Sequence, residues 1–362
     1  MKTRIRGTIA ALAVTVALMG LLTACSQQKS GPSGSQAVSL NETGSSLLYP
    51  LFNLWVPAYT KANPGVRINT ASTGSGTGIA QSIQGLVQFG ASDAYLSNAQ
   101  MMKNPEMLNI PVAISSQMIN YNVPGLNSVH LKLSGTLLAG MYDGRIQYWD
   151  NAAIKRLNPG VALPHHLIVT VHRTDGSGDT FMFSQFLSFT DKMWEQKVGY
   201  GTSVNWPAVA GAIGANGNPG MVSALKTTPY SVAYVGVSFK GQTDKDGLGE
   251  AALQNRAGKF VMINERTVPA AAAAMVPKTP KDERISMIYA PGAESYPIIN
   301  YEYVMVKSNQ PNAQMAAEIK KFLTWAVSPT GGNSLSFLKQ VNFLPLPASA
   351  RSLTLQQISK IH

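Results

Sequence analysis

Three short stretches of the 362-residue chain set glycine among hydroxyl side chains: Gly44-Ser45-Ser46-Leu47, Thr73-Gly74-Ser75-Gly76-Thr77-Gly78 and Gly176-Ser177-Gly178-Asp179. Each closes a strand-like run and opens a helix-like one. A helix N-terminus leaves backbone N–H groups unpaired and carries partial positive charge, so it attracts anions. Glycine lets the backbone come close, and Ser and Thr add donors. One such stretch alone is as readily a plain connection; three at equivalent junctions point to a shared anion site. Arg173 precedes the third stretch, and its planar fork suits a tetrahedral oxyanion. Asp93, at the end of another strand-like run, can only accept when ionised, so it suits an oxyanion that carries a proton. Hydrogen phosphate carries one. Sulfate at neutral pH does not, and would set lone pairs against a buried carboxylate at a cost of several kcal/mol. A structural role for Asp93, as a helix cap or as the ion-pair partner of Arg173, stays open on these residues.

The elements that must position these loops alternate between strand and helix, which argues for an α/β architecture. Val38-Ser39-Leu40 predicts a first strand, followed by an amphipathic helix carrying Leu48, Leu51, Phe52, Trp55 and Tyr59. Further strands are predicted over Val66–Thr70, Phe89–Asp93, Leu167–Val171 and Tyr301–Met305, and helices from Ile79 to Leu86, through Phe181 to Leu187, and from Gln314 to Val327. The strand, Gly/Ser loop, helix unit occurs in both halves, so two α/β lobes facing a shared cleft are expected. The alanine run Ala270–Ala274 reads as helix filler.

The N-terminus addresses the chain elsewhere. Lys2, Arg4 and Arg6 precede an apolar run from Ile9 to Leu22, and Leu22-Thr23-Ala24-Cys25 follows. A positive stub, a short apolar core and small residues describe a secretory signal peptide over residues 1–24, too short for a spanning helix. Leu-Thr-Ala-Cys resembles the bacterial lipobox, which makes Cys25 the acylated first residue of the mature protein. Cys25 is the single cysteine, so no internal disulfide forms. Residues 25–37 are rich in Ser, Gly, Gln and Pro and predict a flexible tether. Net charge is +11; setting aside the three leader cations leaves 26 basic against 18 acidic residues, or +8. The positives are scattered, without the runs that grip nucleic acid, and such a field gathers small anions.

Gly90-Ala91-Ser92-Asp93, Asp175-Gly176-Ser177-Gly178, and Tyr148-Trp149-Asp150 through Leu157-Asn158-Pro159-Gly160 together resemble the phosphate-binding subunit of the phosphate-specific ABC transporter, from about Leu40 to Leu346. Glu42 to Pro50 with the lipobox looks like the mycobacterial lipoprotein form. The resemblance implies a two-lobed periplasmic-binding-protein-like type II fold with two inter-lobe crossings, near Ser116–Ile119 and Ile298–Tyr301. Lobe I then holds residues 38–117 and 301–362, and lobe II residues 118–300. It implies phosphate ligands at Ser75, Asp93, Arg173, Ser177 and Gly178, with Ser45, Ser46 and Leu47 in the first loop. It further implies capture outside the cell membrane, delivery to the membrane permease subunits of an ABC importer by lobe closure, and no enzymatic activity. Two positions depart from the enterobacterial pattern. Leu48-Tyr49 replaces Thr and Phe, so the first-loop hydroxyl must come from Ser45 or Ser46. Asp179 stands where Thr is usual and brings a second carboxylate towards the ligand, as in the mycobacterial form.

Other chemistries fit less well. Gly74-x-Gly76-x-Gly78 misses the Gly-x-Gly-x-x-Gly spacing of a dinucleotide fingerprint, although Asp93 follows Gly74 by 19 residues. No Lys follows these glycines, as a Walker loop requires, and neither Ser75 nor Ser177 sits in Gly-x-Ser-x-Gly. His165 and His166 are adjacent and point to opposite faces of an extended segment, so they do not chelate together. His172 reads as structural, and no metal or cofactor is expected. Trp149, Trp194, Trp206 and Trp325 read as core or lobe-surface anchors. A binding protein for sulfate or molybdate is the nearest alternative, and a secreted phosphate-handling enzyme a more distant one.

Overall fold

The computed structural model describes residues 37–362; the leader over 1–24, Cys25 and the tether up to Gln36 lie outside the described residues. Nine strands form one sheet: β1 (Val38–Gly44), β2 (Val66–Ser72), β3 (Phe89–Ser92), β4 (Met107–Asn122), β5 (Val169–Arg173), β6 (Ile213–Ala215), β7 (Ser231–Gly236), β8 (Gly249–Glu250) and β9 (Ile299–Lys307). Their order is β2-β1-β3-β9-β4-β7-β5-β6, with β8 also on β4. β1 runs parallel to β2 and β3, and β5 runs parallel to β6 and β7. A small three-stranded sheet of Lys132–Leu133, Ala252–Gln254 and Phe260–Val261 stands apart. The mixed α/β fold agrees with the alternation in the sequence.

β4 joins the two parallel groups. Its first part pairs antiparallel with β9, from Met107↔Lys307 to Ser116↔Ile299, and its second part pairs with β7 from Gln117 to Asn122. Apart from Asn122 it is buried throughout, as a central strand covered on both faces must be. Pro111 within it cannot donate to a ladder; it sits where the β4–β9 register shifts, opposite Tyr303, while Glu302 faces Ala113.

Five helices bear on the site: α1 (Tyr49–Ala62), α2 (Ser75–Gln84), α3 (Gly178–Thr190), α4 (Gly217–Thr227) and α5 (Ala313–Ala326). Pro50 lies in the first turn of α1, where its missing N–H costs nothing. α1 buries Leu51, Phe52, Trp55 and Tyr59 along one face. Tyr59 meets Phe322 and Trp325 of α5 at ring-centroid distances of 5.1 and 5.3 Å, which clamps α1, packed on β2, against α5. Trp149 and Trp194 are core residues, while Trp206 and Trp325 pack partly buried against the core. The alanine run lies in a helix over Thr267–Met275. Among the described residues no helix is long and apolar enough to cross a membrane.

The chain leaves β1, β2, β3, β5 and β6 at their C-terminal ends, just ahead of Ser45, Ser75, Asp93, Thr174 and Asn216. In open α/β sheets the carboxyl ends of parallel strands are where ligands gather. Residues Ala37–His362 form a single closely contacting unit.

Candidate functional site

Ser45 sits in the turn between β1 and α1. Its hydroxyl accepts the N–H groups of Leu47 and Leu48 at 3.1 and 3.0 Å and donates to Asp93 Oδ1. Those backbone donors fix the rotamer, which leaves the proton to point at the carboxylate. Ser75, the first residue of α2, reaches Asp93 Oδ2 at 3.4 Å and accepts the Asp93 N–H at 3.3 Å. Ahead of it Gly74 takes φ +90°, a conformation that favours glycine, and an added Cβ would lie 2.4 Å from Asp175 Oδ2. Asn300 on β9 holds the Asp93 carbonyl at 2.8 Å. Asp93 is thereby a fully buried carboxyl fixed from several segments of chain.

Arg173 ends β5, also buried. Its backbone N–H donates to the Tyr234 hydroxyl at 2.9 Å, its Nε to Asp175 Oδ1 at 2.7 Å and its Nη1 to Asp179 Oδ2 at 2.9 Å. Asp179 is held further by Gln117 Nε2 at 3.1 Å and by Asn218 Nδ2 at 2.6 Å. Ser177 caps α3, its hydroxyl accepting Thr180 N–H at 3.2 Å, while its own N–H reaches the Thr202 carbonyl at 2.7 Å. Gly178 is pressed against Asp93: a Cβ there would lie 2.4 Å from Oδ2.

The two glycine loops meet directly, with Gly76 N–H donating to the Gly176 carbonyl at 2.8 Å. Ser46 makes a second bridge: its hydroxyl accepts both the N–H and the Nδ2 of Asn218, at 3.1 and 3.0 Å. Leu47 is buried beside Gly236, and its carbonyl accepts the Ser238 hydroxyl at 2.8 Å. All the positions expected to bind an anion therefore gather at one place. Ser45, Ser75 and Gly178 surround Asp93, Asp179 pairs with Arg173, and Ser46 reaches Asp179 through Asn218.

The electrostatics are unusual. Burial, then the negative charge of Asp179, pushes the Asp93 pKa up to about 7, against hydrogen bonds from Glu302 and Ser45 and the Arg173 charge. Burial also raises Asp179, with Arg173 as the chief opposing influence. Burial works against the Arg173 charge, but Asp175 and Asp179 outweigh it and keep the guanidinium protonated. Asp175 is held below its ordinary value: its partial burial is outweighed by Arg173. One cation thus faces four carboxyls, counting Glu302 behind Asp93, so protonation decides what charge the site accepts.

Several of these residues carry no signal in the sequence. Asn218 follows a fourth strand-to-helix junction, Ala215-Asn216-Gly217, which resembles the other three in all but the hydroxyl residues. Gln117 and Glu302 are polar residues inside buried strands, where nothing in the local sequence points to a partner, and Asp175 belongs to a recognisable motif that assigns it no role. His172 is half-buried 4.9 Å from the Trp206 ring, with its pKa lowered by burial. Among the described residues no three His, Cys, Asp or Glu side chains could hold a metal ion.

Loops from the carboxyl ends of both parallel strand groups gather round a buried cation and a buried carboxyl, the geometry of a solute-binding protein, and the PBP superfamily domain matches residues 30–330. A phosphate-binding protein PstS of Methanocaldococcus jannaschii is 32% identical over 96% of this chain and 92% of its own length. The phosphate-binding protein PstS of Xylella fastidiosa is 34% identical over 87% and 84%. PstS 3 of Mycobacterium leprae is 31% identical over 90% and 88%. The chain belongs to the PstS phosphate-binding protein family. Its fold is shared with solved structures at lower identity. The phosphate-binding protein of Stenotrophomonas maltophilia superposes with a TM-score of 0.67 at 20% identity, over 88% of this chain and 94% of that one. A putative phosphate ABC transporter substrate-binding protein of Clostridium perfringens gives 0.59 at 14%, over 85% and 100%. The family is one of solute-binding proteins, not enzymes.

Proposed function

We propose that the chain binds inorganic phosphate between its Gly/Ser loops and delivers it to the membrane permease subunits of an ABC-type importer. The observation that carries this reading is a buried Arg173 near a buried Asp93 carboxyl that Ser45 and Ser75 hold as a hydrogen-bond acceptor. A guanidinium draws the oxyanion, and a carboxyl that accepts a proton from it selects an oxyanion that has one. Sulfate and molybdate lack that proton at neutral pH. Ser45, Ser46, Leu47, Ser75, Asp93, Arg173, Ser177, Gly178 and Asp179 form the binding set.

Residues 38–117 and 301–362 act as one lobe and 118–300 as the other, with β4 and β9 as the crossing strands. The change of β4 partner between Ser116 and Gln117 supports this division. Ser45, Ser75 and Asp93 then come from one lobe and Arg173, Ser177 and Asp179 from its opposite. Closure brings them together, and the Gly76–Gly176 and Ser46–Asn218 bonds act as latches. Export by the leader and acylation of Cys25, with a diacylglycerol and a further fatty acyl chain such as palmitate, would hold the protein on the outer face of the cell membrane. Calorimetry with phosphate, sulfate and molybdate tests the reading: phosphate is expected to bind far more tightly, and a site that prefers either of the others would overturn it.

A further inference from the structure

Two carboxyls of the site stand outside the binding set: Asp175, which is taken up by Arg173, and Glu302. Glu302 lies on β9 beside the register shift with β4, wholly buried. The Ser115 hydroxyl, from β4, donates to its Oε1, while Oε2 meets no N–H or O–H donor among the described residues. The carboxyl faces that of Asp93, close enough to bond to it. Two carboxyl groups bond this way only when one of them holds a proton. Arg173 lies beyond Asp93, and its guanidinium is already engaged by Asp175 and Asp179. Asp179, from α3, adds a further negative charge facing the pair. Asp93 and Glu302 are distant in the chain and meet because β3 and β9 pair side by side, Ser92 opposite Tyr303.

We propose that Glu302 works as a neutral carboxylic acid whose proton is donated to Asp93, a positioning residue that keeps Asp93 turned as an acceptor and holds the pair at one negative charge while an anion is bound. The proposal rests on the reading of the site as a phosphate site. Burial, then the charge of Asp93, raises the Glu302 pKa well above the ordinary carboxyl value. The acid is therefore protonated below that raised value and ionised above it. On the alkaline side the shared proton is lost, two negative charges face the incoming anion, and binding must take a proton back up. A one-proton linkage costs up to about tenfold in affinity per pH unit, in addition to the titration of phosphate itself.

The test is titration calorimetry with inorganic phosphate from neutral to alkaline pH, on the wild type and on Glu302→Gln, each in two buffers of different ionisation enthalpy. The amide keeps a neutral donor that cannot be lost. Its alkaline decline is expected to be shallower than that of the wild type by about tenfold per pH unit, with about one proton fewer taken up on binding. Ser115→Ala is the milder second variant. It removes the hydrogen bond that favours ionised Glu302, so the alkaline limb should move to higher pH. Superimposed profiles with equal proton counts, or a limb unmoved in Ser115→Ala, would overturn the role of Glu302. A wild type that binds no phosphate at any pH would instead overturn the phosphate reading, and this role with it.

Discussion

Gly178→Ala adds one methyl group at the tightest point of the site. The new Cβ would lie 2.4 Å from Asp93 Oδ2, 2.6 Å from Asp93 Cβ and 2.7 Å from its Cγ. Ordinary carbon contacts need about 3.5 Å or more, so loop or carboxyl must retreat by about 1 Å. Overpacking of that kind costs about 1–3 kcal/mol. If Gly178 and Asp93 approach each other on lobe closure, the cost falls on the closed form, and phosphate affinity drops roughly 5- to 150-fold. Alanine also favours the helix that starts here, so thermal stability without phosphate should hold or rise slightly. Calorimetry for affinity and a thermal melt for stability separate the two effects. An affinity within about twofold of the wild type, less than a kcal/mol, would refute the steric reasoning.

Cys25→Ala should release the protein from membranes or stall its maturation; an unchanged, fully processed membrane fraction would show another anchor. Two acceptor carboxylates favour dihydrogen phosphate, so affinity should decline from mildly acidic to mildly alkaline pH, and Asp179→Thr should flatten that decline. Parallel profiles in calorimetry would leave Asp179 as the partner of Arg173, Gln117 and Asn218 alone. Glu42, with neither carboxyl oxygen hydrogen-bonded among the described residues, has its pKa raised by burial from 4.5 to about 8. The folded protein keeps that proton while the unfolded chain loses it, so the stability it contributes is present below about pH 4.5 and lost as pH rises to about 8. Glu42→Leu should reduce that slope by up to about a few kcal/mol across the window, and denaturant titrations at both ends would expose a slope left unchanged.

The strand, loop and helix units around Ser45, Ser75, Asp93 and Arg173 are legible because glycine, hydroxyl and charged residues collect where apolar runs stop. Strand ends are less so: the predicted Leu167–Val171 strand is observed as Val169–Arg173, and Tyr301–Met305 as Ile299–Lys307. The length of β4 is hidden by Pro111, which local rules treat as a break and which the register shift accommodates. Asn218, Gln117 and Glu302 are invisible for another reason. Each acts on Asp179 or Asp93 from a distant part of the chain, and only the sheet order brings them into contact. Sequence spacing carries information about neighbours along one element, and little about partners across a sheet.

Asp93, as proposed, selects an oxyanion that carries a proton, and Asp93→Asn is the sharpest check on that selection. The amide can donate as well as accept, so the acceptor-only face is lost. Calorimetry with phosphate and sulfate on both proteins should show phosphate weakened by about 1–3 kcal/mol and sulfate gaining relative to it. A phosphate-to-sulfate preference equal in Asp93→Asn and the wild type would contradict selection by Asp93.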